Sequence, residues 1–231
     1  MKTTLKLGTF LLVLGAVIAS AAAIVARPGE INFKRVSLVQ GTKDFTADLT
    51  PGLPSQLEAD NIQGIKVNTT NYDIVVKSGD QYSVREIDSS KTPLFRSQVV
   101  NNQLLVNKDP AEAHTSENGG TRLEITIPAN ANLQNVILQS KNGNISLNQI
   151  STKQVQIDNK NADIALNQVT VTDGGTINNT MGDIDVTQSQ LPASEAESTN
   201  GDASLKGQYT MTFGDNAKLK IKTKNGDIAF K

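Results

Sequence analysis

The stretch NLQNVILQSKNGNISLNQI, residues 132–150, is followed at once by STKQVQIDNKNADIALNQV, residues 151–169, and the two share one pattern. Repetition with a period of about 20 residues is typical of stacked supersecondary units. Each copy places an apolar residue, such as Leu138, seven positions before a second one, such as Ile145, with a polar bend between them. Because apolar and polar residues alternate on both sides of the bend, each copy is predicted to be a strand, a tight bend and a second strand.

The aliphatic position after the bend recurs at steps of 19, 20, 19 and 25 residues from Ile145 to Ile228, and Ile74 marks an earlier copy. Two short strands cannot bury an apolar face alone, so the copies are predicted to stack at about 4.8 Å. The predicted fold class is all-β, a parallel β-solenoid of stacked β-arch repeats of about 20 residues. The predicted interior consists of Val136, Leu138, Ile145, Leu147, Val155, Ile157, Ile164, Leu166, Ile184, Val186, Leu205, Ile221 and Ile228.

Two polar rows accompany the bends. Small polar residues five positions before the post-bend aliphatic residue are predicted to hydrogen-bond to one another or to the bend backbone. The second row, directly before that residue, is either a set of turn formers or a weak calcium site. Calcium-binding rolls have a nine-residue period with several glycines per turn, whereas here the period is about twice that with usually one glycine, which favours turn formers. The first row is Thr69, Ser140, Asn159, Asn179, Ser198 and Thr223, and the second is Asp73, Asn144, Asp163, Asp183, Asp202 and Asp227.

The amino-acid composition excludes several classes of function. A net charge of −1 and 4% aromatic residues without Trp argue against nucleic acid as a partner. The absence of cysteine excludes disulfides and thiolate zinc sites, and His114 is the only histidine. We therefore predict no cofactor, no metal and no catalytic residues. A glycan-active β-helix enzyme is the alternative, but it needs converging carboxylates, whereas the acids here recur singly at bends.

The N-terminus carries a targeting signal. Residues 7–26 form an uninterrupted apolar run of about the length that spans a bilayer as a helix. It is either a retained transmembrane helix, which makes the protein single-pass with an extracytoplasmic C-terminal domain, or a signal peptide whose cleavage releases a secreted protein. The predicted organisation is a short cytoplasmic end (1–6), the membrane segment (7–26), an irregular stalk (27–58) and a β-solenoid ectodomain (59–231), less regular over 59–130 and regular over 131–231.

Two surface features are candidate contact sites. Alternation on one strand places Lys218, Lys220, Lys222 and Lys224 on the same outer face. That face either deters edge pairing or contacts an anionic cell-wall polymer or lipid headgroups. The sequence stops one strand after the last bend, and an unpaired strand can template another chain. Ile228, Ala229 and Phe230 are therefore predicted to pair with a partner, either a second copy or another envelope protein.

The sequence also resembles a known family. The carrying segments are IKVNTTNYDIVV (65–76), NNQLLV (101–106), LEITIPANANLQNVILQSKNGNISL (123–147) and the NGD-type bends that follow. They resemble the bacterial putative-adhesin β-strand-repeat proteins of cell envelopes, a domain of unknown function, including the Lia-type envelope-stress proteins, over roughly residues 60 to 231. The resemblance implies an envelope location and a parallel β-stack, and it brings no catalytic residues. The expected function is a non-catalytic binding, adhesion or scaffold module, and the further alternative is a sensor subunit that signals envelope stress to membrane partners.

Overall fold

The structure, a computed structural model, describes residues 35–37, 45–48, 62–88, 94–108, 122–206, 209 and 216–231. No helix among these residues is long and apolar enough to cross a membrane, and the segment 7–26 lies outside them. The described strands, in chain order, are β1 Arg35–Ser37, β2 Phe45–Asp48, β3 Gly64–Asn68, β4 Asp73–Gly79, β5 Ser83–Asp88, β6 Phe95–Val100, β7 Gln103–Lys108, β8 Arg122–Pro128, β9 Leu133–Gln139, β10 Ile145–Asn148, β11 Ser151–Asp158, β12 Ile164–Asn167, β13 Thr170–Met181, β14 Ile184–Thr187, β15 Ser194–Asn200, β16 Ala203–Leu205, β17 Leu219–Asn225 and β18 Ile228–Phe230.

The strands form two sheets, and each arch gives one strand to each sheet. Sheet A has the order β1-β2-β5-β8-β4-β10-β12-β14-β18-β16, and sheet B has the order β15-β17-β13-β11-β9-β3-β7-β6. Neighbouring arches pair in parallel with equivalent residues aligned, as for Ile145, Ile164 and Ile184. The predicted all-β architecture of stacked arches is confirmed.

Aliphatic side chains from both sheets meet between them and form the core. Of the residues predicted to fill the interior, all are buried except Leu205, which is 47% exposed. Leu205 lies on β16, the last strand of sheet A among the described residues, so it has a neighbouring strand on one side only. Its position in the stack, and not its place in the repeat, determines its exposure.

A second corner, which the sequence analysis did not predict, joins each arch to the next. Gln149, Gln168 and Gln188 occupy it with φ values of 57°, 54° and 48°. The left-handed region is unfavourable for residues with a Cβ, so surrounding contacts must hold these positions. The amide of Gln149 donates to Gln168 at 2.7 Å and that of Gln168 to Gln188 at 3.0 Å, which ties successive corners together.

The N-terminal end of the stack is closed by antiparallel strands. Asn101 and Asn102 form a hairpin turn, since both have positive φ and join antiparallel β6 and β7. β5 pairs antiparallel with β8, β2 with β5, and β1 with β2. β1 and β2 lie within residues 27–58, the segment that is predicted to be an irregular stalk. Their order comes from pairing with β5, which local periodicity does not reveal.

The last two arches stack out of chain order. The terminal arch (residues 219–230, β17 and β18) lies between β13–β14 and the cap arch (residues 194–205, β15 and β16). The terminal arch has the more apolar interior, with Phe230 and Ile228 fully buried, whereas the cap arch offers small residues such as Ala196 and Ala203. Burying the larger apolar surface inside the stack is the more favourable arrangement, and solenoid ends need a more polar covering repeat.

This order corrects the prediction for Ile228, Ala229 and Phe230. They do not form an edge strand, because β18 pairs with β14 on one side and with β16 on the other. Among the described residues, the edge without a further strand at this end of the stack belongs to the cap arch instead.

Candidate functional site

The inner polar row at the bends is structural, as predicted. The hydroxyl of Thr69 donates to the Tyr72 carbonyl and is hydrogen-bonded to the Ser140 hydroxyl, both at 3.1 Å. Asn159 and Asn179 both donate to the Ala162 carbonyl, at 2.9 and 2.8 Å. These side chains satisfy bend carbonyls that the two sheets cannot reach, so their polarity is a requirement of the turn.

The outer row of carboxylates and amides joins successive bends. Asp73 accepts the backbone N–H of Asn144 at 2.7 Å, and the side chain of Asn144 accepts that of Asp163 at 3.0 Å. The series continues in the same way, with a backbone N–H donating to a carboxylate each time. Asp183 N–H donates to the Asp163 carboxylate, Asp227 N–H to that of Asp183 and Asp202 N–H to that of Asp227, at 2.9, 2.8 and 2.9 Å. Each of these contacts joins a side chain of one bend to a backbone N–H of a neighbouring arch, so the row connects the arches, and the turn-former interpretation stays a prediction.

A third row of bend asparagines is interrupted at one position. Asn142 donates to Asn71 at 2.6 Å and Asn161 donates to Asn142 at 2.7 Å. The next arch carries Met181 at this position, 47% exposed, and the buried Oδ1 of Asn161 has no hydrogen-bond partner among the described residues. The interruption leaves one buried acceptor unsatisfied and one thioether on the surface.

The four lysines of the predicted basic face are exposed on the outer side of sheet B. The neighbouring cap arch aligns Glu195 with Lys220 and Glu197 with Lys222. Lys222 Nζ lies 2.7 Å from Glu197 Oε2, and this hydrogen bond and charge raise the pKa of Lys222 above 10.5 and lower that of Glu197. Part of the lysine row therefore lies beside acidic side chains of the cap arch.

Two strand aspartates have partners that sequence reasoning missed. Burial opposes ionisation of Asp158, but hydrogen bonds from Asn178, Gln156 and Gln139 outweigh it and lower the pKa of the carboxyl. Asp185 pairs with Lys231 at 2.6 Å. Asn178 and Gln139 reach Asp158 from the strands on either side, and Lys231 directly follows the strand that pairs with that of Asp185. Such partners are set by register, which a single sequence does not show.

Glu86 is a buried acid that sequence reasoning also missed. It lies on β5 with 1% exposure, and its Oε1 accepts the Tyr72 hydroxyl at 3.0 Å. Its carboxylate also accepts the backbone N–H groups of Leu94 and Phe95 at 3.0 and 3.2 Å. Glu86 thereby attaches the start of β6, in sheet B, to the inner face of sheet A. Glu86 stands two residues after the apolar Val84 on β5, so alternation along the strand directs both side chains inward. This alternation is the sequence signal from which the burial of Glu86 could have been predicted.

The fold and these rows define a two-sheet β-solenoid whose polar side chains mainly connect its own arches. The chain belongs to the Toastrack DUF4097 family, whose model matches residues 62–231. Among solved structures, a putative cell adhesion protein from Clostridium sporogenes is 14% identical, with a TM-score of 0.51 over 75% of this chain and 94% of that chain. A putative adhesin from Bacteroides fragilis is 13% identical, with a TM-score of 0.39 over 84% of this chain and 100% of that chain. No curated protein matches the chain.

These matches support the putative-adhesin resemblance and the all-β fold. The relation to Lia-type proteins stays a prediction.

Proposed function

We propose that this protein is a non-catalytic binding module of the bacterial cell envelope. In this proposal residues 7–26 hold it in the membrane, and the solenoid lies outside the cytoplasm, where its lysine face contacts an anionic cell-wall polymer. Family membership and the name of the Clostridium sporogenes protein agree with a surface-binding role.

One observation carries the proposal. The strand carboxylates Asp158 and Asp185 are engaged by amide and lysine groups, while the lysine row is exposed on the outer side of sheet B. Glycoside hydrolysis needs a pair of carboxyl groups facing one substrate. A row of outward ammonium groups is suited to a long polyanion, which it can bind at several points along the sheet.

The test is co-sedimentation of the full chain, purified in detergent, with isolated Gram-positive cell walls. Walls stripped of their anionic polymers by acid extraction provide the comparison. The test variant is Lys218→Gln with Lys224→Gln, which removes two charges and keeps the pair between Lys222 and Glu197. The matched control is Lys66→Gln with Lys153→Gln, two other exposed lysines of sheet B.

We expect binding to intact walls, little to stripped walls, and severalfold weaker binding of the test variant than of its control. Equal weakening in both variants would show that only total charge matters. Failure of the unmodified chain to bind walls would end the proposal itself.

A sensor role that reports envelope stress is the second expectation of the family resemblance. Deleting residues 1–26 separates it from passive binding. A stress sensor loses its cellular response when it is cut from the membrane, whereas the isolated solenoid of a passive binder still binds walls.

A further inference from the structure

The cap arch leaves one edge of each sheet open at the same end of the stack. Among the described residues β15 pairs only with β17, and β16 pairs only with β18. All three residues of β16 are exposed. At the opposite end the terminal strands run antiparallel to their neighbours, so only the cap end continues the arch geometry without a break.

The backbone of β16 presents hydrogen-bonding groups to that edge. The Asp202 carbonyl accepts the N–H of Ile228 at 2.8 Å, and Lys206 donates to the Phe230 carbonyl at 2.9 Å. Alternate residues of a parallel strand direct their N–H and C=O groups to opposite sides. The N–H and C=O groups of Ala203 and Leu205 therefore point away from β18, toward the open side.

Two side-chain rows also reach this edge and stop. The core row that passes through Leu147, Leu166, Val186 and Phe230 is buried at each of these positions and then reaches Leu205, 47% exposed. In the outer bend row each earlier member accepts a backbone N–H, but no described residue donates one to the Asp202 carboxylate. One more arch would bury the apolar side chain and supply that donor.

The charges on β15 indicate which kind of strand can add to the open edge. Glu195 and Glu197 project from β15, and the strand on its inner side places Lys220 and Lys222 beside them. Two cap arches placed edge to edge would bring the carboxylates of both copies together, and like charges across strands are destabilising. A strand with basic residues at those positions and apolar residues between them matches the edge.

We infer that the open edge of the cap arch is a strand-addition site for a partner polypeptide. The partner strand alternates basic and apolar residues in the manner of residues 218–224. Main-chain hydrogen bonds give the affinity in such additions, and side-chain pairing gives the specificity. The inference does not depend on the proposed wall binding, because it uses a different surface.

The probe is a fluorescein-labelled peptide with the sequence of residues 218–231, KLKIKTKNGDIAFK, titrated with the full chain in detergent and followed by anisotropy. The decisive variant is Leu205→Pro, which removes an N–H that faces the open edge and no hydrogen bond to β18; edge strands tolerate proline there. Leu205→Ala is its matched control, since it removes the side chain and keeps the N–H.

We expect saturable binding, at least tenfold weaker for Leu205→Pro and only two- to threefold weaker for Leu205→Ala. Glu195→Lys with Glu197→Lys should weaken it at least tenfold, whereas Asp173→Lys, an exposed acid elsewhere on sheet B, should not. A peptide in which both Lys220 and Lys222 are replaced by Glu should bind at least tenfold more weakly.

Three results would overturn the inference. The first is no binding, or binding that both Leu205→Pro and the Glu195 and Glu197 reversals leave unchanged. The second is faster amide exchange across residues 219–230 on addition of peptide, which would mean that the peptide displaces the terminal arch. The third is dimerisation without peptide, seen by light scattering and abolished by Leu205→Pro, which would assign the edge to a second copy.

Discussion

Replacing Glu86 by Gln tests whether this buried acid fastens the two sheets together. The substitution keeps the shape of the side chain but turns one acceptor oxygen into an NH₂ donor. Leu94 N lies 3.0 Å from both carboxylate oxygens, so either orientation of the amide places donors against a backbone N–H. With the NH₂ at the Oε2 position the Phe95 N–H also loses its acceptor, whereas with the NH₂ at the Oε1 position the Tyr72 hydroxyl can turn and accept from it.

The magnitude follows from these contacts. A hydrogen bond to a charged group contributes about 1.5–3 kcal/mol, and an unsatisfied buried donor costs about 1–3 kcal/mol. Loss of the charge and of one such bond lowers the free energy of unfolding by about 1.5–3 kcal/mol, a sizeable part of the roughly 5–15 kcal/mol of a typical domain. Phe95 packs edge-on against the Tyr72 ring at 4.8 Å, so the damage is expected to begin at this cluster.

Urea titration of the full chain in detergent, followed by circular dichroism and tyrosine emission, measures the effect; the chain has no Trp to mask the tyrosines. The control is Glu197→Gln, which removes the charge from a 2.7 Å pair with Lys222 in which both side chains are about half-exposed. Exposed pairs contribute about 0–1 kcal/mol, so the control should be nearly neutral. A Glu86→Gln protein within about 1 kcal/mol of the unmodified chain would refute the reasoning, because a bond to a charged group is expected to contribute more than that.

Three further predictions concern the bends and sheet B. Met181→Asn should raise the free energy of unfolding by about 1 kcal/mol by giving Asn161 Oδ1 a donor, and urea titration showing no gain would contradict this. Asp158→Asn should lower the free energy of unfolding by about 1 kcal/mol near pH 7. Because the pKa of Asp158 lies below 3.8 in the folded state, the stability that its charge contributes is complete above that pH and is lost as the pH falls through the lowered pKa. Urea titrations near pH 7 and at strongly acid pH should therefore show a smaller difference between variant and unmodified chain at acid pH. Gly143→Ala should lower the free energy of unfolding by about 1–3 kcal/mol or more, because the added Cβ would lie 2.0 Å from the Tyr72 carbonyl oxygen. Melting temperature and urea midpoint measure the loss, and an unchanged melting temperature would show that the bend can move apart.

Much of the arch structure could be predicted because it is a local property of the chain. Alternation around Leu138 and Ile145, with a bend between them, was sufficient to predict two strands, and the recurrence of that pattern was sufficient to predict parallel stacking. The inner polar row, for example Thr69 and Ser140, was also predictable, since equivalent positions of stacked repeats must lie side by side.

The contacts between distant segments could not be predicted in this way. Glu86 finds its donors on the other sheet, and Asp158 finds Asn178 and Gln139 on the strands that flank it, so only the register identifies these partners. The corner residues Gln149 and Gln168 adopt positive φ because the winding of the solenoid requires it, and glutamine itself does not indicate this.

The sequence by itself determined the repeat, the bend and the apolar face of each arch, because alternation along a strand decides which side chains point inward. Only the tertiary structure decided the order in which the arches stack. An arch can pair with any neighbour of matching register, and the terminal arch lies inside the cap arch because its larger apolar side chains release more free energy when covered on both sides. That choice placed Phe230 in the core and left Leu205 at the open edge.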